Sequence, residues 1–175
     1  IPVVSLIILQ GWFANAIAFM RIGDAYRGYA FSKESGVRFS LALGTILGER
    51  AQDMVAVLIL LIIATIGILI AGTADAPIWV IVGALVLVSF LFVVLIGMRF
   101  FGDRISSRLP NRFQSSFQNV LIGALAGFKP RDVPAQLSLG IIGWLLETAR
   151  LFLVAKGMGI EVDIWVALFA ALAGA

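Results

Sequence analysis

The sequence predicts an all-α fold, a polytopic bundle of transmembrane helices, and three observations support this prediction. First, 61% of the 175 residues are hydrophobic and 13% are charged, whereas a soluble domain carries about 25% charged residues. Second, the apolar residues form long uninterrupted stretches that lack the polar face of a soluble helix. Third, the basic residues collect in alternate loops. The composition therefore excludes an ordinary soluble globular protein.

The apolar stretches predict about five membrane spans, because a helix needs roughly 20 mostly apolar residues to cross a bilayer. The spans are residues 1–20, 51–72, 78–98, 137–155 and 164–175. The last stretch reads as the first part of a span, and the chain opens at Ile1 without Met. We therefore expect a single membrane domain over residues 1–175 that is the middle part of a longer membrane protein.

The placement of charge predicts the orientation of the chain. Eleven of the 13 Lys and Arg residues lie in two segments, residues 21–50 and 99–135. The intervening loops at residues 71–77 and 157–163 contain acidic residues and no Lys or Arg. Because basic loops stay in the cytoplasm, we expect a protein of the prokaryotic cytoplasmic membrane with segments 21–50 and 99–135 on the cytoplasmic side.

Two parts of these basic segments are predicted to be helical. Residues 37–72 read as one long helix that either projects from the membrane or breaks near Gly44 and Gly48. The spacing of these two glycines lets another backbone approach closely, although chance spacing explains it equally well. Residues 113–128 have apolar side chains at helical spacing beside basic residues, which is typical of a cytoplasmic interfacial helix on anionic lipid. A cytoplasmic helix packed on the bundle explains the same pattern.

The sequence lacks the residues and motifs that several classes of chemistry require. The chain has no Cys and no His, which excludes thiol nucleophiles, disulfides, His-based triads and nearly every zinc site. It has no GxxxxGK[ST] loop, no HExxH motif and no nucleophile elbow. The basic segments are too short and too hydrophobic to suggest nucleic acid as a partner. We therefore expect no cofactor and no metal, and the sequence leans against an enzyme.

The candidate functional residues are charges at the ends of the apolar stretches or inside them. A charge at the centre of a membrane helix costs about 2.5–3.5 kcal/mol, so it normally faces a partner or a wet cavity. Three clusters qualify: Arg21, Asp24 and Arg27; Glu49, Arg50 and Asp53; Glu147 and Arg150. In the first cluster Gly23 would permit a tight turn, and the two arginines could hold a phosphate. The Glu147–Arg150 pair is explained equally well as a structural ion pair or as the polar lining of a path for a headgroup or an ion.

Residues 12–61 carry a set of motifs: an Asn, an R-x-G-[DE]-x-x-R segment, a [KR]-x-x-G segment and an E-R-x-x-D helix start. The motif positions are Asn15, Arg21, Gly23, Asp24, Arg27, Gly36, Glu49, Arg50 and Asp53. Together with a later helix that contains Trp144 and Glu147, the sequence resembles the lysylphosphatidylglycerol synthase transmembrane, or flippase-like, family of bacteria and archaea. It departs from the family at Phe19, where members usually have Pro.

The resemblance implies a flippase-like protein that binds or translocates an anionic phospholipid or a lipid-linked headgroup across the cytoplasmic membrane. Arginines would bind the headgroup phosphate, and carboxylates would orient them or bind an amine. The expected substrate-binding residues are Asn15, Arg21, Asp24, Arg27, Glu49, Arg50, Asp53, Glu147 and Arg150. The expected partners are membrane lipids with an anionic headgroup.

Two alternative functions remain open from the sequence. One is a small structural subunit of a larger membrane complex, or a homo-oligomer. The weaker alternative is a membrane enzyme that transfers a group on a lipid, with Asp24 or Glu49 as the base. A translocator predicts that the charged clusters converge on one cavity.

Overall fold

A computed structural model of the chain describes residues 2–17, 22–72 and 78–174. Within these ranges the chain forms seven helices and no strand, which confirms the predicted all-α class. The helices are α1 (Pro2–Ile17), α2 (Ile22–Ser35), α3 (Phe39–Ala71), α4 (Ile78–Arg108), α5 (Asn111–Ala126), α6 (Val133–Gly157) and α7 (Ile164–Ala173).

Each predicted membrane span overlaps an apolar helix among the described residues. Three of them contain stretches long and apolar enough to cross a membrane: Phe39–Ala71, Ile78–Gly102 and Val133–Gly157. The first and last predicted spans contain the shorter apolar helices Val3–Asn15 and Ile164–Ala173. Residues 18–20 of the first span and residue 175 of the last lie outside the described residues. The architecture is therefore a polytopic membrane helix bundle.

The helix α3 is continuous over 33 residues, which corresponds to about 50 Å at 1.5 Å per residue. This length exceeds the roughly 30 Å of a bilayer core, so α3 must tilt strongly or project from the membrane. The predicted long helix is confirmed, and the break considered near Gly44 and Gly48 does not occur. The helix α4 ends at Arg108, just before Pro110, because a proline disfavours helical geometry in the residue before it.

The described chain divides into two compact units. The first consists of Ile1–Arg50 and Val94–Lys129, and the second of Ala51–Val93 and Pro130–Ala175. Since the boundaries fall inside α3 and α4, each of these two helices contributes one part to each unit.

In the first unit, α2 runs back along α1 and contacts α3 on its other side. Glycine permits both contacts: a Cβ on Gly23 would collide with the carbonyl oxygen of Gly11, and one on Gly28 would lie 3.2 Å from Ile46 Cδ1. Tyr26 Oη donates a hydrogen bond to Gln10 Oε1 at 3.2 Å. The tight turn expected at Gly23 is wrong, because this residue lies in the first turn of α2. Its missing side chain serves helix packing instead.

The glycine pair of α3 receives the backbone of α5. A Cβ on Gly48 would lie 2.6 Å from the carbonyl oxygen of Ala124, and one on Gly44 would collide with Val120. On α5, a Cβ on Gly123 would collide with the backbone of α3. The interpretation of this spacing as a site of close backbone approach is confirmed. It follows that α5 packs on the bundle, and contact of its outer side with lipid stays a prediction.

In the second unit, residues of α3 and α7 form the buried core. They are Leu60, Leu61, Ala64, Ile68, Leu168, Phe169 and Leu172. The indole ring of Trp165 lies where a Cβ on Gly67 would be. Asp163 caps α7, because its Oδ1 accepts a hydrogen bond from Trp165 N at 2.8 Å. Packing and capping therefore hold a helix of only ten residues.

We expect Gly48→Ala to destabilise the protein. Ala is roughly 0.8–1.0 kcal/mol more favourable than Gly inside a helix, but overpacking against Ala124 costs about 1–3 kcal/mol. The control is Gly143→Ala on α6, where an added Cβ meets no atom within 4 Å. Thermal unfolding of the purified protein in detergent should show a lower midpoint for Gly48→Ala and an equal or higher one for the control. A higher midpoint for Gly48→Ala would contradict the close contact of α3 with α5.

Candidate functional site

Four charged side chains of α2 and α3 form a connected set, which we call the ion-pair network: Asp24, Arg27, Glu49 and Arg50. Arg50 donates two hydrogen bonds to Asp24, from Nε to Oδ2 at 3.0 Å and from Nη2 to Oδ1 at 2.9 Å. Arg27 Nη2 donates to both carboxylate oxygens of Glu49, at 3.2 and 2.9 Å. Arg27 Nη1 lies 3.7 Å from Asp24 Oδ1 and joins the two pairs.

Local sequence and helix packing together build this network. Asp24 and Arg27 are three residues apart on α2 and therefore share a face. Glu49 and Arg50 are neighbours on the part of α3 that contacts this face. Asp24 also lies in the first turn of α2, where a carboxylate interacts favourably with the helix dipole. The site thus needs α2 and α3 side by side, which Gly28 allows.

Asn15 extends the network to α1. Its Nδ2 donates a hydrogen bond to Asp24 Oδ1 at 3.3 Å. Its Oδ1 is buried and has no hydrogen-bond partner among the described residues. A buried acceptor without a partner costs about 1–3 kcal/mol. Asn15 therefore connects the end of α1 to Asp24.

A cavity of about 170 Å³ lies beside the Arg27–Glu49 pair, between α1, α2 and α3. Apart from this pair its walls are mainly aliphatic side chains, together with Phe31. Pockets for small molecules typically measure about 300–1,000 Å³. The cavity is therefore large enough for a headgroup or a short length of acyl chain and too small for a whole lipid.

The network carries no net charge, because two guanidinium groups balance two carboxylates. Its side chains are partly shielded: Arg27 is 12% exposed, and Glu49 is 46% exposed. Unpaired ions in such a place would lose several kcal/mol of hydration each. Glu49 is the most accessible member of the network, so it is the carboxylate that an incoming anion would most readily replace on Arg27.

The other predicted site residues are Arg21, Asp53, Glu147 and Arg150. Arg21 lies outside the described residues. Asp53 belongs to the second unit, where its Oδ1 is 3.7 Å from the position of a Cβ on Gly140 of α6. In α6, Arg150 Nη2 donates to Glu147 Oε1, and these side chains are 72% and 45% exposed. Glu147 and Arg150 neutralise each other, as a structural ion pair does, and a role in headgroup binding stays a prediction.

Sequence reasoning missed one charged cavity of the second unit. It measures about 490 Å³ and lies where α6 leads into α7. Its charged residues are Lys156, Glu161 and Asp163. A signal was present in the sequence, because the acidic loop at 157–163 directly follows Lys156.

We expect the unfolding free energies of Asp24→Asn and Arg50→Gln to be coupled. Each single variant should lose about 1–3 kcal/mol, because each removes hydrogen bonds to a charged group. The coupling energy of the double-mutant cycle should reach about 0.5–3 kcal/mol, which denaturant unfolding measures. As a control, Glu34→Gln on the exposed side of α2 should change stability by less than about 0.5 kcal/mol. Additive effects of the two network variants would show that the pair does not stabilise the fold.

Comparison with known proteins identifies the family of this chain. The family model described as the lysylphosphatidylglycerol synthase TM region matches residues 1–175. A UPF0104 membrane protein of Methanocaldococcus jannaschii is 25% identical over 164 residues, which cover 92% of this chain and 68% of that protein. No solved structure gives a significant match. This integral membrane protein therefore belongs to the lysylphosphatidylglycerol synthase transmembrane-region family.

Proposed function

We propose that the ion-pair network binds the headgroup of an anionic phospholipid or a lipid-linked headgroup, and that the protein moves it across the cytoplasmic membrane. The network itself is the main support, since two arginines lie beside a mainly aliphatic cavity. Planar guanidinium groups bind phosphate through paired hydrogen bonds. The family, named for a lysylphosphatidylglycerol synthase, also points to a lipid-related role.

The exchange of one anion for another is the central step of this proposal. A headgroup phosphate replaces Glu49 on Arg27, and the displaced carboxylate turns to the solvent to which it is already 46% exposed. Arg27 stays paired throughout, so the step avoids leaving a lone charge beside apolar helices. Asp24 meanwhile holds Arg50 in position through two hydrogen bonds. Asn15 supports Asp24 through its own hydrogen bond.

The orientation of the site completes the proposal. Segments 21–50 and 99–135 face the cytoplasm by the positive-inside rule. The network lies on the first of these segments, so it would receive its ligand from the cytoplasmic leaflet. The ligand is accordingly an anionic membrane lipid.

We expect Arg27→Gln and Arg50→Gln to slow lipid translocation by about tenfold or more, which is the effect of losing at least 1.4 kcal/mol of binding to the translocated headgroup. The measurement is a headgroup-accessibility assay in liposomes, with a fluorescent anionic phospholipid and a chemical quencher added outside. Lys33→Gln is the matched control, because it removes one positive charge from an exposed position on the same helix. Equal rates for wild type, both network variants and the control would argue against translocation at this site.

A second function, as a subunit of a larger complex or as a homo-oligomer, is favoured by one observation. Glu147 and Arg150 are exposed on α6, a helix long and apolar enough to cross a membrane. Charges that face lipid are costly, and a helix of a partner protein or of a second copy would shield them.

We expect the double variant Glu147→Leu/Arg150→Leu to disrupt such an assembly, because it removes the groups that a partner helix would contact. Mass photometry in mild detergent should then show a smaller particle than wild type. The control Lys33→Leu/Glu34→Leu also removes one positive and one negative exposed charge, here from α2. An unchanged particle size for both double variants would contradict the assembly role of α6.

A further inference from the structure

The helix α4 carries an open groove at the end of its apolar stretch, within the first unit. The groove measures about 460 Å³ and is lined by Gly97, Phe101, Arg104, Ile105 and Arg108. These residues follow each other at spacings that place them on one face of the helix. The stretch that is long and apolar enough to cross a membrane ends at Gly102. The groove is therefore apolar at one end and basic at the other, with the change near the end of this apolar stretch.

The two arginines of the groove differ from those of the ion-pair network. Among the described side chains, which do not include that of Asp103, no carboxylate forms an ion pair with Arg104 or Arg108. The guanidinium of Arg104 lies over the ring of Phe101, 5.9 Å from its centre, and this cation–π contact orients it. Like charges one helical turn apart repel each other. An anion between the two arginines would remove this repulsion.

The apolar end of the groove is open at Gly97, which has no side chain to cover the face of α4. A Cβ at this position would meet no atom within 4 Å, so the space is open and the fold does not require glycine here. An inorganic phosphate would contact the arginines and leave this apolar part uncovered. A phospholipid covers both parts at once, with its headgroup at the membrane boundary and an acyl chain beside the helix.

We infer that this groove binds one anionic phospholipid, whose phosphate lies between Arg104 and Arg108 and whose acyl chain runs along Phe101 and Gly97. The site uses none of the residues of the ion-pair network. It therefore stands apart from the proposed translocation and describes a lipid that stays bound at the side of α4.

The chain contains no Cys, so Ser107→Cys beside Arg108 provides a unique position for an environment-sensitive fluorophore. The labelled protein in phosphatidylcholine nanodiscs is titrated with phosphatidylglycerol that carries brominated acyl chains, and separately with brominated phosphatidylcholine. We expect half-maximal quenching at a concentration of brominated phosphatidylglycerol about tenfold lower than that of brominated phosphatidylcholine, and we call this ratio the preference for phosphatidylglycerol. Arg104→Gln/Arg108→Gln should reduce this preference to about twofold or less. Lys33→Gln/Arg38→Gln removes the same charge from exposed positions elsewhere in the first unit and should retain the preference.

A second pair of variants tests the shape of the groove with its charges intact. Gly97→Leu places a large side chain in the open space beside Phe101 and should abolish the preference for phosphatidylglycerol. Gly83 also faces open space on α4, but it lies outside the groove. The control Gly83→Leu should therefore keep the preference for phosphatidylglycerol. Because neither glycine has a close neighbour, both variants should fold.

Three results would overturn the inference. The first is a preference for phosphatidylglycerol that remains unchanged in Arg104→Gln/Arg108→Gln and in Gly97→Leu. The second is an equal loss in the Lys33/Arg38 control, which would assign the preference to net charge alone. The third is full competition by glycerol phosphate, which would make the groove a phosphate site and not a lipid site. None of these results touches the translocation proposal, which is tested on Arg27 and Arg50.

Discussion

The pair between Arg50 and Asp24 is the interaction on which the first unit depends. It joins residues 26 positions apart in the sequence through two hydrogen bonds, and it connects the start of α2 to the middle of α3. Losing either partner would remove these two hydrogen bonds from a partly buried charge, which destabilises the fold. Arg27 and Glu49 add the second link between the same helices. These contacts contribute to holding α2 beside α3, where the cavity lies.

Close packing through glycine makes these polar contacts possible. Helices in a membrane gain little from the hydrophobic effect, so they associate through backbone contact and hydrogen bonds. Gly11 and Gly23 bring α1 to α2, and Gly48 brings α5 to α3. Between α2 and α3, where arginine and carboxylate side chains meet at hydrogen-bond distance, Gly28 leaves room for the side chain of Ile46. The same contacts explain why larger side chains at these positions would disturb both packing and charge pairing.

The arginines of the ion-pair network differ from those of the α4 groove in their partners. This difference suits the two sites to different tasks. In the ion-pair network each guanidinium is already paired, so an anion must exchange with a carboxylate. Such a site suits a ligand that binds and leaves. In the groove of α4, the described side chains give Arg104 and Arg108 no ion-pair partner, so an anion would not have to exchange with any of them. Such a site suits a lipid that stays. Glu147 and Arg150 form a third case, in which the pair is local to α6.

The sequence by itself determined the membrane class, the approximate spans, the long helix α3 and five residues that meet at the site: Asn15, Asp24, Arg27, Glu49 and Arg50. Hydropathy and charge are local properties, so they can be read along one chain. Tertiary structure decided that α2 folds back as a helix with Gly23 inside it, and that α5 packs on Gly48. Spacing places Glu49 and Asp53 on one helix face, yet Glu49 pairs with Arg27 of α2. Partners depend on which helix faces come together, and spacing within one helix carries no information about its neighbour.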